Sequence, residues 1–167
     1  MKIFLIGLPG SGKTTLGKQL AERLALEFVD LDAEIEKSEV TSISEIFKLH
    51  GESHFREVEH LQLTKWVDEE KNFVMATGGG APCFFNNIDL MNSAGVTIFL
   101  DVPAREIAKR ISVQSANRPL LLNLSFEELK DKIEFLRSQR KSFYRKAKCI
   151  VKGEKLNIAD LLAVVKH

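Results

Sequence analysis

The chain has 167 residues, is 44% hydrophobic and carries a formal net charge of +1, which suits one full core and argues against a broad electrostatic surface for nucleic acid or a membrane. No apolar run approaches the roughly 20 residues that a bilayer span needs, and the N-terminus enters a strand at once instead of a basic-then-apolar signal. Cys83 and Cys149 make neither a metal spacing nor a disulfide framework, so a reducing cytoplasm is the expected setting.

The first element is the apolar run Ile3–Ile6, and Gly7-Leu8-Pro9-Gly10-Ser11-Gly12-Lys13-Thr14-Thr15 follows it. Gly7, Gly12, Lys13 and Thr14 meet the spacing G-x-x-x-x-G-K-[ST] between a buried parallel strand and an amphipathic helix. Glycines let such a loop take positive-φ turns and bring its N–H groups against an anion. The helix behind it turns its positive end to the same place. Lys13 is expected to reach the β- and γ-phosphates of a nucleotide and the Thr14 hydroxyl to ligate Mg²⁺. Gly10, Ser11, Gly12 and Thr15 complete the expected nucleotide contacts. The loop leaves open which molecule receives the phosphate.

Further strand-like runs are predicted at 27–32, 73–78, 96–101 and 147–151, with helical patterns at 13–25, 43–49, 52–70, 104–112, 126–144 and 157–166. Alternating strands and helices imply a parallel sheet covered on both faces, whose ligands sit beyond the carboxyl ends of the strands. The second run ends in Asp30 and Asp32, two residues apart and so on one face of an extended strand. One carboxylate can hold Mg²⁺ and the other can accept a hydroxyl proton from a phosphoryl acceptor; Asp32 alone also reads as a helix cap. Gly51 interrupts the next helical stretch, which excludes a metal pair from His50 and His54. Beyond it, Arg56 reads either as an exposed ion pair or as an inward guanidinium gripping a carboxylate. Phe47, Phe55 and Trp66 are residues of core type. Gly78-Gly79-Gly80 exceeds what a turn requires and lets backbone N–H groups approach a ligand. Near Arg118-Pro119 the helical pattern dissolves, in the kind of segment that closes over a triphosphate. Ser42 with Glu45 and Ser125 with Glu128 have capping-box spacing. The last long helix carries Arg137, Arg140, Tyr144 and Arg145, and spacing alone does not choose among its charges. No repeat or linker divides the chain, so a single domain over 1–167 is expected.

In this order the motifs resemble the shikimate kinase family: the phosphate loop, F-x-D-x-D at Phe28–Asp32, E-I-F-x-x-x-G-E-x-x-F-R-x-x-E at Glu45–Glu59, A-T-G-G-G at Ala76–Gly80, R-P-L-L at Arg118–Leu121 and R-x-x-x-Y at Arg140–Tyr144. The resemblance implies a three-layer α/β P-loop kinase fold of the adenylate-kinase type. It would have a five-stranded parallel sheet with helices on both faces, acceptor-binding helices at about 33–60 and a lid at about 112–124. It implies transfer of the ATP γ-phosphoryl to the 3-hydroxyl of shikimate, with Mg²⁺. By position, Asp32, Lys13 and Arg118 would be catalytic, and Thr14 and Asp30 would serve the metal. Asp32, Arg56, Arg140 and the backbone of Gly78, Gly79 and Gly80 would hold shikimate, with Phe47, Phe55 and Glu59 lining or bracing the pocket. Arg110 and Arg118 would meet the nucleotide. No nucleic-acid or membrane partner is implied, and a monomer is expected. The chain departs from the family in having Pro9 before Gly10, no glycine in 37–44, and Phe143 before Tyr144. A gluconate or nucleoside monophosphate kinase is the nearest rival. A GTPase is excluded by the absence of N-K-x-D and D-x-x-G.

Overall fold

A computed structural model describes residues 1–115 and 124–165. Its centre is a sheet of five parallel strands, β1 (Lys2–Ile6), β2 (Glu27–Asp30), β3 (Phe73–Ala76), β4 (Val96–Asp101) and β5 (Cys149–Lys152), in the order β2-β3-β1-β4-β5. β1 lies in the middle and is buried on both sides, which its unbroken apolar sequence requires. Phe4 and Ile6 face one core, with residues of the long helices α3 (Ile43–Asp68) and α6 (Phe126–Tyr144). Ile3 and Leu5 face the other, with α1 (Lys13–Leu24) and α7 (Ile158–Val165). Sequence reading therefore anticipated the three layers and all five strands. Among the described residues no helix is long and apolar enough to cross a membrane.

The predicted strand over 27–32 is corrected. β2 stops at Asp30, whose Oδ1 accepts hydrogen bonds from the amides of Asp32 (3.1 Å) and Ala33 (3.3 Å) and so caps a helix, α2 (Leu31–Glu39). Asp30 and not Asp32 is the cap, and the two carboxylates do not share a strand face. Asp32 stands in the first helical turn. Two further helices were missed, α4 (Asn87–Ala94) and a single 3₁₀ turn at Ala81–Cys83; α5 (Ala104–Ser115) was anticipated.

Of the two capping boxes, that of Ser125 and Glu128 is complete. At Ser42 only the side-chain half forms, the Glu45 amide donating to Ser42 Oγ (3.2 Å), while the neighbouring Ile43 amide donates to Glu36 of α2 (3.0 Å). Gly51 breaks α3 as expected, with φ 79° and ψ 176°. Only glycine adopts that conformation cheaply.

Tight packing fixes α1, and with it the loop at its head. A Cβ on the buried Gly17 would stand 2.7 Å from Phe28 Cε2 and 3.2 Å from Leu5 Cδ1. Alanine would gain about 1 kcal/mol of helix propensity but lose about 1–3 kcal/mol to overpacking. Gly17→Ala is therefore expected to lower Tm by a few degrees, on the order of 2–4 °C per kcal/mol of net loss. A rise in Tm would show that propensity outweighs packing here.

Candidate active site

The chain leaving the carboxyl ends of β1, β2 and β3 lines one edge of the sheet. After β1, Gly7, Gly10 and Gly12 take positive φ of 146°, 81° and 97°. A side chain on Gly7 would also strike the Leu100 carbonyl at 2.9 Å. Lys13, the first residue of α1, is buried and folds back to donate to the carbonyls of Gly7 and Leu8, both at 2.9 Å. Burial, helped by Arg140, lowers its pKa to about 8 against the pull of Asp32 and Asp30. Ser11 Oγ is buried with no hydrogen-bond partner among the described residues. Thr14 Oγ1 donates to Asp30 Oδ2 at 3.2 Å, so the outer oxygen of the cap faces the loop.

Three cavities run end to end along this edge. One of about 600 Å³ is lined by Gly10, Ser11, Gly12, Lys13, Thr14 and Thr15 of the loop, with Gln19, Arg110, Leu156 and Asn157 opposite. A second, of about 200 Å³, takes Pro9, Lys13, Thr14, Asp30 and Asp32 and the backbone from Ala76 to Gly79. The third, also about 200 Å³, lies between Asp32, Phe47, Phe55, Arg56, Glu59, the three glycines and Arg140. Lys13 and Thr14 belong to the first two, and Asp32, Gly78 and Gly79 to the last two. A trough thus leads from the phosphate loop to a pocket with two guanidinium groups.

The three glycines have a steric reason that the sequence did not reveal. None has positive φ. A Cβ on Gly78 would meet Glu59 Oε1 at 2.8 Å and Asp32 Oδ1 at 3.1 Å, and one on Gly79 would meet Pro9 Cδ at 2.8 Å and Arg140 Nη1 at 3.0 Å. One on Gly80 would collide with the Arg56 guanidinium. Each glycine makes room for polar side chains arriving from another element. Pro9, one of the residues that depart from the family pattern, packs on the middle one.

Arg56 unites the two readings that the sequence left open: it points inward and it is paired. Its Nη1 donates to Glu59 Oε2 at 2.7 Å, and its Nε and Nη2 make longer bonds, 3.4 and 3.3 Å, to the exposed carboxylate of Glu52. Its plane is flanked by the rings of Phe55 and Phe84, with centroids 5.0 and 4.5 Å away. Glu59 is fully buried; burial pushes its pKa up against Arg56, and its Oε1 finds no hydrogen-bond partner among the described residues. Asp32 is also pushed up, by burial and then by Asp30. Phe47 is partly exposed and leans on Phe55 with centroids 4.6 Å apart.

Other expectations fare unequally. Arg110 lies against the phosphate loop, donating to the carbonyls of Gly10 (3.3 Å) and Glu154 (2.7 Å) and to Glu106 (3.1 Å). Arg137 is no wet-face charge, since it binds Asp101 at the end of β4 at 2.6 Å. Cys83 has Arg140 and Arg56 nearby in space though not in sequence, yet burial prevails and pushes its thiol up. The rings of His50 and His54 lie 4.8 Å apart, tilted at 49°, and no cluster of three metal-ligating residues occurs among the described residues. Arg118 and most of the expected lid lie outside the described residues. Gln19, Leu156 and Asn157 were missed. The signal for Asn157 was an N-x-x-D spacing, because Asn157 and Asp160 cap α7 reciprocally.

A model of the shikimate kinase family matches residues 9–165. The shikimate kinase of Phocaeicola vulgatus is 45% identical over 155 residues, covering 93% of this chain and 88% of its own. The crystal structure of shikimate kinase from Bacteroides thetaiotaomicron superposes with a TM-score of 0.88 at 37% identity, covering 99% of this chain and 94% of that one. Shikimate kinase from Acinetobacter baumannii in complex with shikimate gives 0.81 at 34% identity, over 98% and 88%. With the fold, the motif order and these matches in agreement, the chain belongs to the shikimate kinase family.

Proposed function

We propose that the trough transfers the γ-phosphoryl group of ATP to the 3-hydroxyl of shikimate, giving 3-phosphoshikimate and ADP. The observation that carries this reading is the shared wall of the three cavities, in which Lys13 and Asp32 stand between the phosphate loop and the paired arginines. Shikimate carries one carboxylate and three hydroxyls. Arg56 and Arg140 suit the carboxylate, because a guanidinium offers a planar fork of donors. Asp32 suits a hydroxyl, and its raised pKa fits a group that must take up a proton. The amides of Gly78, Gly79 and Gly80 add donors, Phe47 and Phe55 form walls, and Glu59 braces Arg56.

In this reading Asp32 orients the 3-hydroxyl and receives its proton. The oxygen bonds to the γ-phosphorus while the bond to the bridging oxygen breaks, and ADP leaves with that electron pair. Such a loose transition state needs positioning and charge neutralisation more than covalent help. Lys13 would turn from the Gly7 and Leu8 carbonyls toward the transferring group. Ser11 and the loop amides from Gly10 to Thr15 would cradle the phosphates, with Arg110 beside the nucleotide. Thr14 Oγ1 and Asp30 Oδ2 face each other as hard oxygen donors, a pairing that fits Mg²⁺. When bound, that ion would offset charge on the β- and γ-phosphates. By resemblance, Arg118 would meet the phosphates on lid closure and exclude water. We infer a single catalytic domain acting as a monomer in the cytoplasm, where ATP is at hand.

Asp32→Asn keeps the shape and removes the proton acceptor. It is expected to lower kcat by about 100-fold or more while leaving nucleotide affinity within about threefold; near-normal kcat would remove Asp32 from the chemistry. Titration gives a second check. Lys13 must be charged to meet phosphate, and its pKa of about 8 in the free protein makes kcat/KM for ATP fall as pH rises through that value. The kcat profile should hold to higher pH, because bound phosphates favour the ammonium form. On the acid side Asp32 must be ionised, so its raised pKa moves that limb above the ordinary carboxylate range. A kcat/KM that stays flat from about pH 7 to about pH 10 would contradict the role given to Lys13.

A further inference from the structure

Tyr144, the last residue of α6, is buried completely, with its ring tilted against Phe99 of β4 at 4.9 Å between centroids. Its hydroxyl donates to the carbonyl of Gly79 at 2.6 Å. Burial pushes the hydroxyl pKa up to about 12, so it remains a donor across the working pH range. The guanidinium of Arg140, one helical turn earlier, lies beside the same glycine, its Nη1 3.0 Å from where a Cβ on Gly79 would stand. Tyr144 itself does not line the acceptor cavity, whereas Gly79, Gly80 and Arg140 do. It stands behind the wall that they form.

The peptide between Gly79 and Gly80 is trans, so its C=O and N–H point in opposite directions. With the carbonyl turned back to Tyr144, the Gly80 N–H points away from it, and Gly80 lines the acceptor cavity. Two adjacent glycines would otherwise let this peptide plane rotate cheaply, because neither has a Cβ to resist. The glycines are needed for close approach to Arg140 and Arg56. The flanking carbonyls are held locally, that of Gly78 by the Ala81 amide (3.1 Å) and that of Gly80 by the Cys83 amide (2.9 Å), which leaves the Gly79–Gly80 peptide as the central one of the turn, with no backbone hydrogen bond of its own among the described residues. α6 is also tied at a second strand end, where Arg137 pairs with Asp101 at 2.6 Å. Arg140 lies between the two anchors on the same helix.

We propose that Tyr144 is a positioning residue for the acceptor site: its hydroxyl locks the Gly79–Gly80 peptide with the Gly80 amide facing the acceptor, beside Arg140. The inference rests on the shikimate-kinase reading of the pocket. Tyr144 touches neither the acceptor nor the nucleotide, so its influence is one-sided. Loss of the hydroxyl frees the acceptor wall and leaves the phosphate loop as it was.

The test is Tyr144→Phe, which keeps the ring and its packing, measured by calorimetric titration of the full chain with shikimate and, separately, with MgADP. Shikimate affinity is expected to weaken about tenfold, the worth of one well-made buried hydrogen bond, with MgADP affinity within about twofold of wild type. Steady-state kinetics should show the same split, KM for shikimate rising and KM for ATP holding. Phe99→Leu, which loosens the ring but keeps the hydroxyl, should lower Tm without changing the ratio of the two affinities. Unchanged shikimate affinity in Tyr144→Phe, equal weakening of both ligands, or the same selective loss in Phe99→Leu would each overturn the proposal. Wild-type protein that binds MgADP but no shikimate would overturn the functional reading and this inference with it.

Discussion

The active edge of this protein depends on a steric constraint: three consecutive residues after β3 must have no side chain. Asp32 arrives from α2, Arg56 and Glu59 from α3, and Arg140 from α6. All of them occupy space that Cβ atoms on Gly78, Gly79 and Gly80 would claim. Backbone there is replaced by the functional groups of its neighbours. A single alanine at position 80 would drive the Arg56 guanidinium out of place, because it is held between two rings and a buried carboxylate. Pro9 on the other wall closes against Gly79 and joins the phosphate loop to the acceptor pocket.

Such convergence has an electrostatic consequence. Lys13, Arg56, Asp32 and Glu59 share a region poor in water, where an isolated charge is costly and a broken pair costs about 3–5 kcal/mol. The shifts follow from this. Lys13 is pushed down and Asp32 and Glu59 up, each with burial as the leading cause. Lys13 is bonded to loop carbonyls, and Arg56 to Glu59 and, more loosely, to Glu52. Phosphates and a carboxylate would exchange with those internal partners, so binding need not strip fresh ions of water. The stiffness of the site and its charge balance have the same origin.

Much of this was legible in the sequence, for physical reasons. The strand-to-helix glycine loop has a spacing that only phosphate binding explains well. β1 reads as a central strand because it is apolar on both faces. Gly51 marks a break because no other residue takes its conformation cheaply. What sequence could not give was direction. Asp30 and Asp32 look alike two residues apart, yet one ends a strand as a cap and the other begins a helix, a choice made by a local hydrogen bond. Arg56, Arg137 and Arg140 are indistinguishable as helix charges until tertiary packing assigns Glu59, Asp101 and the acceptor cavity to them. Tyr144 stood in the sequence only as the end of an R-x-x-x-Y run, and the partner of its hydroxyl is a glycine 65 positions earlier.

The central claim is that a guanidinium pair, an acid and a phosphate loop form one continuous acceptor-to-nucleotide trough shaped for a carboxylated polyol. A coupled assay of ADP release, run on the same protein with shikimate, gluconate, AMP and no acceptor, tests it most directly. The account expects turnover with shikimate far above the other three conditions. Equal release in all four, or a preference for gluconate or AMP, would contradict it.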